Sequence, residues 1–268
     1  MLQRSLGYGG GGDSMTQLVF IHGVNDQTTG YSNRLFGEIV RAYVAGLIEQ
    51  GASKADAQAR AKQLVQKEIL WADVTTDLTN RYLSLQYALK GRSGKWNAIL
   101  RPIDPLVLQI LYYVKDKGHK RGPMAILKEV DEAFRRACAD RSEQVVVIAH
   151  SLGSVIAYDY LFGFRKHRVP PGVTVKALIT LGSPIPLFTA AMGFVDNPVE
   201  LPKNVERWVN VLDPDDGVAR FCEPYFKSGI VRDVTVNTGF APLGAHNGYW
   251  RSRAVASLLA EQLAELGV

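Results

Sequence analysis

The run Val145-Val146-Val147-Ile148-Ala149 passes without a spacer into His150-Ser151-Leu152-Gly153, and an apolar helical stretch follows from about residue 153 to 164. An unbroken apolar run of β-branched residues is the pattern of a strand covered on both faces, as in the middle of a parallel sheet. The rest of the chain repeats the alternation of strand and helix. Leu18-Val19-Phe20-Ile21 reads as a first strand, ended by His22-Gly23. Leu35, Phe36, Ile39, Val40, Tyr43, Val44, Leu47 and Ile48 recur at helical spacing, and Gly51 ends that helix. Residues 52–67 read as a second helix with Ser53 as N-cap, 69–74 as a strand and 126–139 as an amphipathic helix. Strands are expected near 175–181, 207–212 and 231–236, and a last helix carries Val255, Leu258, Leu259 and Leu263. Strands separated by helices form βαβ units, so the expected class is α/β: a mostly parallel sheet with helices on both faces. Ligands of such sheets sit at the carboxyl ends of the strands, which directs attention to the residues just after each one.

Two segments break the rhythm. Residues 1–14, with Gly7 and Gly9 to Gly12 around Tyr8, read as a disordered or cloning-derived leader before Met15. Residues 15–268 then form a single expected domain. Residues 75–124 hold Tyr82, Leu83, Leu85, Tyr87, Trp96 and the apolar stretch 106–114, too apolar for a solvated loop. They read as a helical insertion, either a lid over a substrate pocket or an excursion packed on the sheet edge.

Composition narrows the function classes. The 268 residues are 47% hydrophobic and 21% charged, a balance that supports one sizeable core. No apolar run reaches the ~18 residues of a membrane span, and the N-terminus lacks a basic-then-apolar signal. Two cysteines, Cys138 and Cys222, make neither a disulfide framework nor a four-cysteine zinc site, and a reducing, cytoplasmic setting is expected. The net charge of +5 permits attraction to anionic surfaces without requiring it. Nucleic-acid binding has no support from a P-loop, a cysteine/histidine finger or a basic-aromatic motif.

The strand-turn-helix at Ala149-His150-Ser151-Leu152-Gly153 has the form of a nucleophile elbow with alanine at the first glycine position. The flanking residues Ala149 and Gly153 are small enough for so tight a turn. The turn raises the Ser151 hydroxyl above the strand end and sets the Leu152 N–H at a helix start, where an oxyanion can bind. A serine hydroxyl needs a base. Of five histidines, His22 belongs to the Gly23 turn, and His150 adjoins the serine and leaves in another direction. His119 and His167 sit in basic polar stretches. His246, after the last strand and before the last helix, is the candidate. The base in turn needs an acid, in the chain order serine, acid, histidine. Asp213, Asp215 and Asp216 compete, with Asp216 the first choice and Asp213 the second. The loop after the first strand supplies the second oxyanion donor: Val24 N–H, with Asn25 as a further side-chain donor.

These residues resemble a family. Residues 148–159 are similar to the serine motif of lipase-type α/β-hydrolases, nearest to the intracellular DDHD-domain phospholipases. Thr180-Leu181-Gly182-Ser183-Pro184-Ile185 resembles that group's Gly-Ser-Pro strand end. Residues 210–219 with Glu223-Pro224 resemble its acid loop, and His246 with Tyr249-Trp250 its terminal histidine motif. The resemblance favours Asp216 over Asp213, because Asp216 precedes Val218 as the family's acid does. It departs at Ala149, at Gly217 where proline is common, and at Arg251, Arg253 and Ala254, where the family's last acidic residue has no counterpart. The shorter chain looks more like a minimal bacterial-type esterase or lipase, and the resemblance implies an α/β-hydrolase fold.

The expectation is therefore a serine hydrolase of carboxylic esters with the triad Ser151, Asp216 and His246, the oxyanion donors Val24 and Leu152, and no metal or organic cofactor. A lipid-like acyl chain fits the apolar insertion, and the basic clusters fit peripheral contact with an anionic membrane surface. The same triad would serve a thioesterase, an amidase or an acyltransferase. A non-catalytic α/β-hydrolase fold that binds a ligand or partner is the reading from a different class.

Overall fold

A computed structural model describes residues 15–24, 27–75, 80–81, 84, 103–114, 123–138, 144–162, 169–191, 205–226, 229–240 and 242–267. The leader at 1–14 and most of the insertion at 75–124, residues 82–83 and 85–102 above all, lie outside them, as do Asn25, His119 and His167.

Six strands make one sheet: β1 (Thr16–Ile21), β2 (Leu64–Ile69), β3 (Gln144–His150), β4 (Thr174–Leu181), β5 (Trp208–Leu212) and β6 (Val231–Thr235). Their order is β2-β1-β3-β4-β5-β6, and every neighbouring pair is parallel. The sheet is thus wholly parallel where the sequence reading had it mostly so. Alternate residues divide the core. Val19, Ile21, Val145, Val147 and Ala149 face one side, where they meet α4 (Pro123–Ala137) and α5 (Leu152–Phe162). Leu18, Phe20, Val146 and Ile148 face the other, against α1 (Asn33–Glu49), α2 (Lys54–Ala61) and α9 (Arg253–Leu266). The α1 stripe Leu35, Ile39, Tyr43 and Leu47 recurs every fourth residue and is buried. Each such side chain stabilises the fold by roughly 1.5–3 kcal/mol relative to exposure.

The remaining helices are α3 (Ile103–Val114), α6 (Ile185–Ala191), α7 (Glu223–Phe226) and α8 (Pro242–Gly248), the last running into a 3₁₀ turn at Tyr249–Arg251. Of the insertion, α3 is anchored to the body by Tyr113, whose buried side chain donates to Asp159 on α5.

The second helix and its following strand are corrected. The helix expected over 52–67 ends at Ala61, and the strand expected over 69–74 lies earlier, at Leu64–Ile69, with 73–75 helical. The polar run Gln66-Lys67-Glu68 reads as helix locally. It becomes strand because β2 pairs with β1 on one side only, and an edge strand tolerates polar side chains. The other boundaries move by a few residues.

The order of strands reverses once. The chain goes from β1 outward to β2, returns past β1 to β3, and then builds outward on the other side. Right-handed crossovers in opposite directions put helices on opposite faces, and the crevice at the reversal opens beyond the ends of β1 and β3. His22-Gly23 and His150-Ser151 stand at those two ends.

Candidate active site

Ser151 follows the last residue of β3 and immediately precedes α5. Its φ of 54° is the only positive value at a non-glycine among the described residues. A left-handed conformation costs an L-residue about 1–2 kcal/mol, so the surroundings must hold it. They do so at both ends of the residue. The Ser151 N–H donates to Leu181 O at 3.0 Å, and Ser151 O accepts from the Ser154 N–H at 2.9 Å and from the Ser154 hydroxyl. The turn also needs Gly153, where an added Cβ would lie 2.2 Å from His22 O and 2.7 Å from Ile21 O.

The hydroxyl of Ser151 lies 2.8 Å from His246 Nε2. The other ring nitrogen, Nδ1, lies 2.9 and 3.0 Å from the two carboxylate oxygens of Asp216. A carboxylate only accepts, so Nδ1 carries the proton, Nε2 is left as an acceptor, and the serine hydroxyl donates to it. His246 sits within α8 rather than in an open loop, with its side chain 21% exposed, while the Asp216 side chain is fully buried. Burial alone would raise the Asp216 carboxyl. The His246 N–H and charge, the Val218 N–H and the Tyr249 phenol outweigh it and hold the carboxyl below its ordinary range.

Asp213 has other partners. Its Oδ2 accepts from the N–H and the hydroxyl of Thr238, both at 2.7 Å, and its Oδ1 accepts from the Asp215 N–H at 3.0 Å. Asp213 therefore ties the β5 exit to the segment after β6, and of the three aspartates it is Asp216 that meets His246.

Three further residues support the pair, and sequence reasoning gave none of them a contact here. Tyr249 donates its phenol to Asp216 Oδ2 at 2.9 Å and accepts from the Asp213 N–H at 2.8 Å. Gly182 at the end of β4 has φ 58°, and a Cβ there would lie 2.8 Å from Asp216 Oδ2 and 3.3 Å from His246 Nδ1. His150 points away from the serine, as expected, but not into solvent. Its Nε2–H donates to His246 O at 2.6 Å, and its ring lies 4.8 Å from the His246 ring. Burial, and then the neighbouring His246, pull its pKa down to about 3, so it is neutral near pH 7. The motif resemblance carried a signal for Gly182, within the Gly-Ser-Pro strand end, and for Tyr249, within the terminal histidine motif, and none for the contact His150 makes.

The β1 exit is equally constrained. A Cβ on Gly23 would lie 2.6 Å from Ser151 Cβ and 3.2 Å from its Oγ, so backbone alone fits beside the hydroxyl. His22 Nδ1–H donates to Gly23 O at 2.7 Å, and the Trp71 indole donates to His22 O at 2.8 Å. The Gly23 carbonyl and the Val24 N–H share one peptide plane and point oppositely, so this grip turns the Val24 N–H away from His22. Farther along the loop, Glu68 accepts from the N–H groups of Gly30 and Ser32 at 2.6 and 2.7 Å. Leu152, buried at the first position of α5, presents its N–H at a helix start.

Among the described residues no group of three or more potential ligands could hold a metal ion, and no helix is long and apolar enough to cross a membrane. No family model matches the chain, and no curated protein matches it. Among solved structures it is similar to a lipase-esterase related protein from Clostridium acetobutylicum ATCC 824, at 10% identity and a TM-score of 0.42 over 94% of this chain and 95% of that one. It is also similar to an uncharacterized protein from Pseudomonas aeruginosa, at 12% identity and a TM-score of 0.37, over 95% of this chain and 46% of that one.

Proposed function

We propose that this protein is a serine hydrolase of carboxylic esters, built on an α/β-hydrolase fold. The observation that carries the reading is one unbroken line of hydrogen bonds, Ser151 hydroxyl to His246 to Asp216, anchored on a serine held at φ 54°. A serine in an ordinary turn has no reason to be so strained or so partnered.

The chemistry follows from the geometry. Ser151 Oγ attacks the ester carbonyl carbon while His246 Nε2 takes its proton. The carbonyl oxygen becomes an oxyanion beside the Leu152 and Val24 N–H groups. Asp216 keeps the imidazole in the Nδ1–H tautomer and stabilises its cation. The tetrahedral species collapses, the carbon–oxygen bond to the alcohol breaks, and His246 returns the proton to the leaving oxygen. Water then attacks the acyl-enzyme by the same route and frees Ser151. The lipid-like acyl group rests on the motif resemblance and on the apolar insertion.

A fluorophosphonate probe tests the reading. The folded wild type should be labelled and Ser151→Ala should not, at equal thermal stability. p-Nitrophenyl esters of rising chain length then rank the acyl preference, with long chains favoured if a lipid is the substrate. Folded wild type that takes no label would leave the non-catalytic reading standing.

A further inference from the structure

The Leu152 N–H shares one peptide plane with the Ser151 carbonyl and points the opposite way. Whatever holds that carbonyl therefore aims the N–H. Two donors hold it, both from Ser154 in the first turn of α5: the backbone N–H at 2.9 Å and the side-chain hydroxyl at 2.5 Å. At the β1 exit the His22 ring holds the Gly23 carbonyl, and with it the Val24 N–H, by the same device.

A serine hydroxyl on the carbonyl three residues back is common within helices. Two features set Ser154 apart. The carbonyl it holds belongs to Ser151, the residue at φ 54°. Its hydroxyl is also held from a different element. Ser183, just past the end of β4, has its Oγ 2.7 Å from Ser154 Oγ. A carbonyl only accepts, so the Ser154 proton lies on Ser151 O, and Ser183 is the donor to Ser154. Ser183 Oγ in turn accepts from the Ile185 N–H at 3.3 Å, and Ser183 O accepts from the Arg220 N–H, beyond the acid loop, at 2.9 Å. Both serine side chains are fully buried. The hydrogen bonds thus run one way, from the Ile185 N–H through two hydroxyls to the Ser151 carbonyl, each polarising the next. They end on the peptide whose far side is the Leu152 N–H.

We propose that Ser154, backed by Ser183, is a positioning residue for the oxyanion: the two hydroxyls fix and polarise the Ser151–Leu152 peptide, so that the Leu152 N–H is aimed before charge develops. The proposal rests on the hydrolase reading. The benefit falls in the transition state, because the carbonyl oxygen of the substrate becomes an anion only as Ser151 Oγ bonds to the acyl carbon.

The test follows kcat and KM for the p-nitrophenyl ester that the wild type hydrolyses fastest. Ser154→Ala is expected to lower kcat by about tenfold or more, short of the ~10²–10³ for deleting an oxyanion donor outright, and to leave KM in place. It should weaken inhibition by an alkyl trifluoromethyl ketone, whose serine adduct carries an oxyanion, by the same factor as kcat/KM. Ser154→Thr should restore most of the loss, since a helical threonine can make the same bond. Ser183→Ala should lower kcat by a smaller factor. Thr189→Val is the matched control. Thr189 is buried, and its hydroxyl donates to Pro186 O, also three residues back in a helix, at 2.9 Å. Its loss should leave kcat in place. Folded Ser154→Ala with wild-type kcat, or a kcat loss that Thr189→Val reproduces, overturns the proposal. If Ser154→Ala does not fold, Ser183→Ala decides, and wild-type kcat there overturns it. Either result beside normal fluorophosphonate labelling of the wild type leaves the hydrolase reading intact. Folded wild type that neither takes the label nor cleaves an ester defeats that reading and the oxyanion role with it.

Discussion

Asp213 and Asp216 stand three residues apart on one turn, and their partners separate them. Asp216 faces His246 and Asp213 faces Thr238. Asp216→Asn should leave the fold in place but offer the wrong hydrogen-bonding group to Nδ1, and lower kcat by about 10⁴-fold. Asp213→Asn should cost about 1–3 kcal/mol in denaturant titrations while fluorophosphonate labelling at pH 7 persists. Equal kinetic loss from both variants would contradict the assignment. His150 gives a pH prediction. It faces His246, Asp216 and His22, and its folded pKa of about 3 lies below the ~6.5 of an unfolded histidine. Between those values only the unfolded chain holds the proton. The contribution is therefore intact above about pH 6.5 and declines as pH falls toward 3, by about 1.4 kcal/mol per pH unit. His150→Gln can still donate to His246 O and does not titrate. Its stability should fall less steeply from pH 6 to pH 4 than that of the wild type, by about that slope, and parallel curves would refute the assignment.

At the scale of elements, the site depends on how closely α5 enters beneath the end of β1. Gly153 in the first turn of α5 is where the backbone of Ile21 and His22 comes nearest. The atoms an added methyl would meet are main-chain atoms at the end of β1 and of His22 just after it, which cannot swing aside as a side chain can. Gly153→Ala should cost about 1–3 kcal/mol or more and also reduce labelling in the protein that still folds, because it displaces the Gly23 peptide that flanks the serine. Gly217, also close to the acid, has open space where a Cβ would stand. Gly217→Ala is the matched control and should keep both stability and labelling. Crowding at one glycine and not the other follows from strand packing, since β1 and β3 are neighbours and α5 crosses between their ends.

For the whole molecule, one sheet separates two apolar clusters and contributes alternate side chains to both. Neither cluster can lose its strands without the other. Ile156→Ala on α5 and Leu259→Ala on α9 lie on opposite faces, each fully buried. Each should lower stability by about 2–5 kcal/mol, and each should shift the same single unfolding transition, followed by calorimetry. Two transitions, each moved by one variant, would instead mark two cooperative units.

Much of this was legible in the chain itself. The apolar run ending in Ser151 announces a covered parallel strand, because only burial on both faces tolerates such a sequence. The elbow motif is equally local, since small residues must flank a turn that tight. The order serine, acid, histidine left Asp213, Asp215 and Asp216 to pair with Ser151 and His246, and the motif resemblance favoured Asp216 over Asp213. What lay beyond reach depends on contacts between segments far apart in sequence. That Leu64–Ile69 is a strand was decided by pairing with β1, against the helical look of its polar residues. That His150 grips the His246 carbonyl 96 residues away, and that Tyr249 bridges the Asp216 carboxylate and the Asp213 N–H, was decided when the strand ends came together. Local pattern determines which segments can be strand, helix or turn, because those preferences act over a few residues. Which side chains share a hydrogen bond is determined by the sheet's order, and no short window of sequence contains it.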